Sequence, residues 1–183
     1  MVNRLTVISG PTAVGKGTVI RYIRENHPEI KLSVSATTRA PRPGEVDGVA
    51  YHFLSQEEFD AKIADGQMLE YAIVHGTNRY GTLRQPVEAA LAAGDQMILE
   101  IDIQGARQVK AAMPEANLVF IAPPSWEELV SRLTGRGTET AQEQARRLET
   151  AREELAAQKE FDHVVINDEV ADCALRIVNL MQK

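Results

Sequence analysis

Short apolar runs alternate along this chain with segments of helical periodicity. Residues 5–9, 31–35, 96–101, 117–122 and 162–166 are brief, apolar and rich in β-branched side chains, so they read as strands. Between them lie helical patterns: about 18–25, stopped before Pro28; 86–93, ended by Gly94; 104–112, ended before Pro114; 126–133; and 170–181. This alternation predicts an α/β fold, a three-layer sandwich with a mainly parallel sheet covered by helices on both faces.

Two stretches depart from the alternation. Residues 36–82 are rich in Pro, Gly, Thr and aromatics, with strand-like pieces at 51–54 and 68–74. Within them Ser55 and Glu58 have capping-box spacing and open a short helix. Residues 134–145 are polar, lack an apolar face and contain the hinge-like triplet Gly135-Arg136-Gly137. Thr140 and Glu143 form a second capping-box pattern, opening a long charged helix to about residue 158 in which Glu143 and Arg147 are i,i+4 neighbours. The expected layout is one domain with core segments 1–35, 83–131 and 147–183, an insert over 36–82 and a lid over 132–146. Such a layout suits a phosphotransferase. One insert holds the acceptor, and the other closes over the donor and keeps out competing water.

Composition narrows the picture. A chain of 183 residues, 44% hydrophobic and 25% charged, fits one soluble globular domain with a substantial core. The net charge of −6 argues against a broad nucleic-acid face, although a local arginine cluster can still hold a small polyanion. The lone cysteine, Cys173, lies in an apolar helical pattern and reads as a core residue. No segment has the layout of a signal peptide or the length of a membrane span, so a cytoplasmic location without a membrane partner is expected. Monomer and homo-oligomer are equally compatible with these features.

The strongest chemical signal follows the first strand. Gly10-Pro11-Thr12-Ala13-Val14-Gly15-Lys16-Gly17-Thr18 is a glycine-rich turn with a lysine at a helix start. Glycines let backbone N–H groups approach phosphate oxygens, and the helix N-terminus and Lys16 supply positive charge. The usual pattern has Ser or Thr directly after the lysine, as a metal ligand; here Gly17 stands there.

Other charges are placed to serve phosphoryl transfer. Arg39 and Arg42 sit in a proline-stiffened loop, which reduces the entropy lost on clamping a phosphate. Arg132 and Arg136 are i,i+4 at the hinge, and Arg147 lies on the following helix, whereas Arg146 reads as a solvated charge that can pair with Glu149 or Glu153. Glu100 and Asp102 flank Ile101 at the end of a strand, where ligands bind in such sheets, and could order waters around Mg²⁺ or accept protons from a base. Glu70 lies in an apolar strand-like run. Either it points to solvent from an edge strand, or it is buried and needs donors such as guanine N1–H and its exocyclic amine. His27, His52, His75 and His163 have no metal-ligand spacing, and Trp126, at a helix start behind Ser125, reads as packing.

Five ordered segments resemble guanylate kinases of the bacterial type. They are 33–48 with Tyr51-His52-Phe53; Glu70 with Tyr80-Gly81-Thr82; 99–106; Arg132-Leu133 with 136–140; and Asn167-Asp168. The resemblance implies transfer of the γ-phosphoryl of ATP to GMP, giving ADP and GDP, with Mg²⁺. It implies that Ser35, Glu70, Thr82 and Asp102 contact guanine, and that Arg39, Arg42, Tyr51 and Tyr80 hold the GMP phosphate. Lys16 and the loop would hold ATP. Arg132, Arg136 and Arg147 would close onto the transferring group, Asn167 would lie near adenine, and Glu100 would stand near the metal through water. Two alternatives are a non-catalytic module of the same fold that binds phosphopeptides, and a phosphate-loop kinase for another phosphorylated acceptor. Lys16 and the hinge arginines speak against the first, and Glu70 with Ser35 and Asp102 against the second.

Overall fold

The computed structural model describes residues 4–74, 78–134 and 141–182. In chain order these form β1 (Leu5–Ser9), α1 (Lys16–Asn26), β2 (Lys31–Leu32), β3 (Ala36–Thr37), β4 (His52–Phe53), α2 (Gln56–Ala64), β5 (Met68–Val74) and β6 (Asn78–Leu83). They continue with α3 (Arg84–Ala93), β7 (Met97–Glu100), α4 (Ile103–Ala112), β8 (Asn117–Ala122), α5 (Trp126–Thr134) and α6 (Ala141–Ala156). A 3-10 turn (Ala157–Glu160), β9 (His163–Ile166) and α7 (Val170–Met181) follow.

The main sheet is parallel, in the order β2-β7-β1-β8-β9. β1 and β8 are buried along their whole length, which is why they read as unbroken apolar runs. Side chains alternate between two cores. Ile8, Ile98, Val119 and Ile121 pack with Val19 of α1, Leu129 of α5 and Ile177 of α7 on one face. Leu5, Val7, Leu99 and Leu118 pack with Val87 of α3 and Val109 of α4 on the other. Cys173 is fully buried in the first core, and Trp126 packs at its margin under Arg152. No helix among the described residues is long and apolar enough to cross a membrane.

A second sheet, β4-β3-β6-β5, is mixed: β3 pairs parallel with β4 and antiparallel with β6, which pairs antiparallel with β5. It has a small core of its own, Ala36, Phe59 and Met68, covered by α2. The Ser55 capping box that opens α2 is present in both halves. Ser125 Oγ likewise accepts the Glu128 N–H at the start of α5.

One expected element differs. The strand expected at 31–35 ends at Leu32, because the chain crosses there from the main sheet to the second. Ser33 N–H still reaches the Ile98 carbonyl, but the Ser35 carbonyl already accepts from His52 N–H. Within the expected lid, residues 132–134 complete α5 and 141–146 open α6. Residues 135–140, with Arg136 and the Thr140 half of the second capping box, lie outside the described residues, as does His75.

Candidate active site

The register Ile8↔Glu100 sets the C-terminal ends of β1 and β7 side by side. There a cavity of about 610 Å³ opens. Gly10, Thr12 and Lys16 form one wall, and Tyr51, Glu70 and Tyr80 from the 36–82 segment form another. Glu100 and Asp102 line the floor, Ser35 lies at the crossover, and Thr150 and Glu154 of α6 form the third wall.

The loop between β1 and α1 is wound for backbone N–H groups to converge. Gly15, the N-cap of α1, has φ 95°, which glycine adopts freely. Ala13 is also left-handed, at φ 65°, where a side chain is disfavoured by about 1 kcal/mol or more. No acidic residue occupies the first turn of α1, so its positive end is not neutralised locally. Lys16 Nζ donates to the Gly10 carbonyl at 2.6 Å. Burial lowers the Lys16 pKa, and the carboxylates of Glu154 and Glu100 oppose that shift. Burial likewise raises Glu100, against the pull of Lys16. A side chain at position 17 would begin 3.8 Å from Glu100 Oε1, so the place that Gly17 leaves bare faces this carboxylate.

Asn167 and Arg132 stand behind the loop. Asn167 is buried, and its Nδ2 donates to the Val14 carbonyl at 2.8 Å. Arg132 Nη1 donates to the same oxygen at 3.2 Å, while its Nε donates to Glu128. Both side chains brace Val14, and neither lines the cavity.

At the other end Glu70 is buried, which decides against the solvent-facing alternative. Thr82 Oγ1 donates to its Oε1 at 2.6 Å. Burial raises the Glu70 pKa to about 7; the Thr82 hydroxyl opposes this and the neighbouring Asp102 adds to it. Asp102 also caps α4, accepting the Gly105 N–H at 2.7 Å.

The rigid arginine loop is internally paired. Arg39 Nη2 donates to Glu45 Oε1 at 2.9 Å, and its guanidinium lies over the rings of Tyr51 and Phe53. Arg42 uses its main-chain N–H on Glu45 Oε2, and its side chain is exposed outside the cavity lining. Arg147 is exposed on α6, seven residues before Glu154 and so on the same helical face, and it does not line the cavity.

Glu154 escaped the sequence reading. Its Oε2 accepts the Thr12 N–H at 2.9 Å, taking a loop donor with a carboxylate. Burial raises its pKa, opposed by that N–H and by Lys16. The only sequence signal for it was its spacing from Arg147.

The family model described as "Guanylate kinase" matches residues 2–183. The chain belongs to the guanylate kinase family. A guanylate kinase of Leifsonia xyli is 66% identical over 177 residues, which cover 97% of this chain and 70% of the relative. One of Nocardia farcinica is 60% identical over 178 residues, covering 97% and 92%. The crystal structure of guanylate kinase from Anaplasma phagocytophilum superposes with a TM-score of 0.78 at 34% identity, covering 98% of this chain and 85% of that one. Guanylate kinases are nucleoside monophosphate kinases, and the chain is an enzyme of that class.

A negative charge on the phosphate loop of such a kinase has a measurable consequence. Glu154→Gln keeps an acceptor for Thr12 N–H and removes the charge. ATP should then bind on the order of 10-fold more tightly by calorimetry. An unchanged or weaker affinity would mean that Glu154 does not oppose the triphosphate.

Proposed function

We propose that the chain transfers the γ-phosphoryl of ATP to GMP, giving ADP and GDP, with the cavity holding both nucleotides. The observation that carries this reading is the pairing of a phosphate loop with a buried carboxylate site across one cavity. Residues 36–82 act as the GMP-holding insert and 132–146 as the lid over ATP.

At the acceptor end, Glu70 and Asp102 accept the N–H groups of guanine, with Thr82 fixing Glu70 and Ser35 beside the base. Adenine lacks the N1–H donor and would leave buried carboxylate oxygens unpaired, which is the source of discrimination. Tyr51 and Tyr80 lie in edge contact, with ring centroids 5.9 Å apart, and Arg39 over Tyr51 offers a planar fork to the GMP phosphate. Arg42 joins them from the loop rim.

At the donor end, Lys16 and the loop N–H groups hold the ATP phosphates. Lys16 leaves the Gly10 carbonyl to do so. Arg132, Arg136 and Arg147 supply positive charge as it develops on the transferring group. Asn167 holds the loop through Val14 on the side of adenine.

Among the described residues no group of three or more His, Cys, Asp or Glu could hold a metal by itself. A carboxylate in the cavity lining suits Mg²⁺, which keeps water and takes substrate phosphates with one or two carboxylates; Glu100 would hold it through water. When bound, Mg²⁺ neutralises charge on the β- and γ-phosphates. A cytoplasmic location follows from ATP as the donor.

A coupled ADP-release assay with GMP, dGMP, AMP, IMP and CMP tests the reading. GMP should be used best and AMP and CMP scarcely at all. No ADP release with GMP, or equal use of AMP, would overturn it.

A further inference from the structure

β5 is the outer strand of the second sheet and, among the described residues, pairs only with β6. Its open edge at Tyr71 is closed by a side chain from the core. Tyr71 N–H donates to Gln108 Oε1 at 3.1 Å, and Gln108 Nε2 donates to the Tyr71 carbonyl at 2.8 Å. A primary amide carries a donor and an acceptor in one plane, so it pairs with the strand edge as another main-chain residue would. Neither Gln108 nor Tyr71 lines the cavity. Tyr71, however, directly follows Glu70.

On α4 the residues that meet β5 recur every three positions. Asp102 caps the helix at the cavity floor. At Gly105 a Cβ would fall 2.5 Å from Glu70 Oε2, so the bare backbone is what admits that carboxylate. Gln108 is next on the same face. Two positions of α4 therefore engage two adjacent residues of the insert: the bare backbone of Gly105 meets Glu70, and the Gln108 amide clamps Tyr71, while Asp102 at the N-cap acts on Glu70 through its charge.

We propose that Gln108 is a positioning residue for base recognition: its clamp on Tyr71 sets Glu70 against Asp102 at the spacing that fits a 2-amino-6-oxopurine. This rests on Glu70 as the acceptor for guanine. The clamp is exposed to solvent, so water can take over its hydrogen bonds and the fold loses little without it. The Glu70 carboxylate gains freedom to shift, and a misplacement of about 1 Å is enough to cost up to ~10²-fold in a recognition step.

Gln108→Met keeps the length of the side chain and removes both hydrogen bonds. Steady-state kinetics with GMP, IMP and ATP are compared for the parent, Gln108→Met, Glu70→Gln and the double variant. Gln108→Met should raise KM for GMP about tenfold and shrink the preference for GMP over IMP, leaving KM for ATP and Tm unchanged. In the Glu70→Gln background it should add less than about twofold, because its effect runs through Glu70. An unchanged KM for GMP in Gln108→Met, with GMP use lost in Glu70→Gln, overturns the Gln108 assignment alone. Additive losses overturn it as well, as does a joint loss of GMP and ATP affinity with a fall in Tm. Normal GMP use by Glu70→Gln removes the base-site reading and this assignment with it.

Discussion

Lys16→Ala is expected to lower turnover by at least ~10³-fold while GMP binding survives. The size follows from the surroundings of the ammonium. Lys16 is desolvated in the cavity wall, where a charge is worth far more than in water. Among the described residues no second lysine lines the cavity to replace it. Its ammonium already rests within the loop, on the Gly10 carbonyl, so it has only to exchange that oxygen for a phosphate oxygen. The proposed base-site residues Glu70 and Thr82 belong to β5 and β6 rather than to the loop or α1, which is why calorimetric GMP affinity should change by less than about threefold. Turnover within tenfold of the parent would remove Lys16 from the reaction, and loss of GMP binding would show that the substitution damages the whole cavity.

Glu70→Gln should have the largest effect on the acceptor side, raising KM for GMP by on the order of 10²-fold with ATP affinity unchanged. A glutamine presents an N–H₂ group where guanine also presents donors. The pH dependence separates this from a general disturbance. Burial holds the Glu70 carboxyl near 7, so around neutrality the free enzyme carries it partly protonated. Guanine donors favour the charged form, so GMP binding drives the proton off and tightens as pH rises through 7. Calorimetry in buffers of different ionisation enthalpy should show this proton release in the parent and less of it in Glu70→Gln. Equal release in both would count against Glu70 as the acceptor.

The same carboxyl links pH to stability. Its folded pKa, about 7, lies above the ordinary 4.5, so the folded chain holds a proton that the unfolded chain has already lost. The resulting stabilisation is complete below pH 4.5 and is lost as pH rises through 7. The loss amounts to a few kcal/mol. Glu70→Gln keeps the Thr82 bond without this titration, so its Tm should exceed that of the parent at pH 8 and approach it at pH 5.

Local signals read well wherever the physics is local. The run Asn117–Ala122 is apolar and β-branched because both its faces are covered, and it forms β8 over those six residues. The Val170–Met181 pattern forms α7, with Cys173 and Ile177 on its buried stripe. The Ser55 and Glu58 pair closes its capping box within four residues. The strand expected at 31–35 stops at Leu32, where the chain leaves one sheet for another, which an apolar pattern alone does not register.

The amino-acid order determined the phosphate loop, since strand, turn, lysine and helix start are contiguous and their geometry needs no distant partner. It also determined which elements form and which of their faces are apolar. Only the tertiary structure decided which charged groups meet: Glu154 with Thr12 across 142 residues, Gln108 with Tyr71 across 37, and Glu70 against Gly105. Periodicity reports the face a residue occupies, but the partner of that face is set by sheet order and helix packing, which minimise exposed apolar area over the whole chain at once.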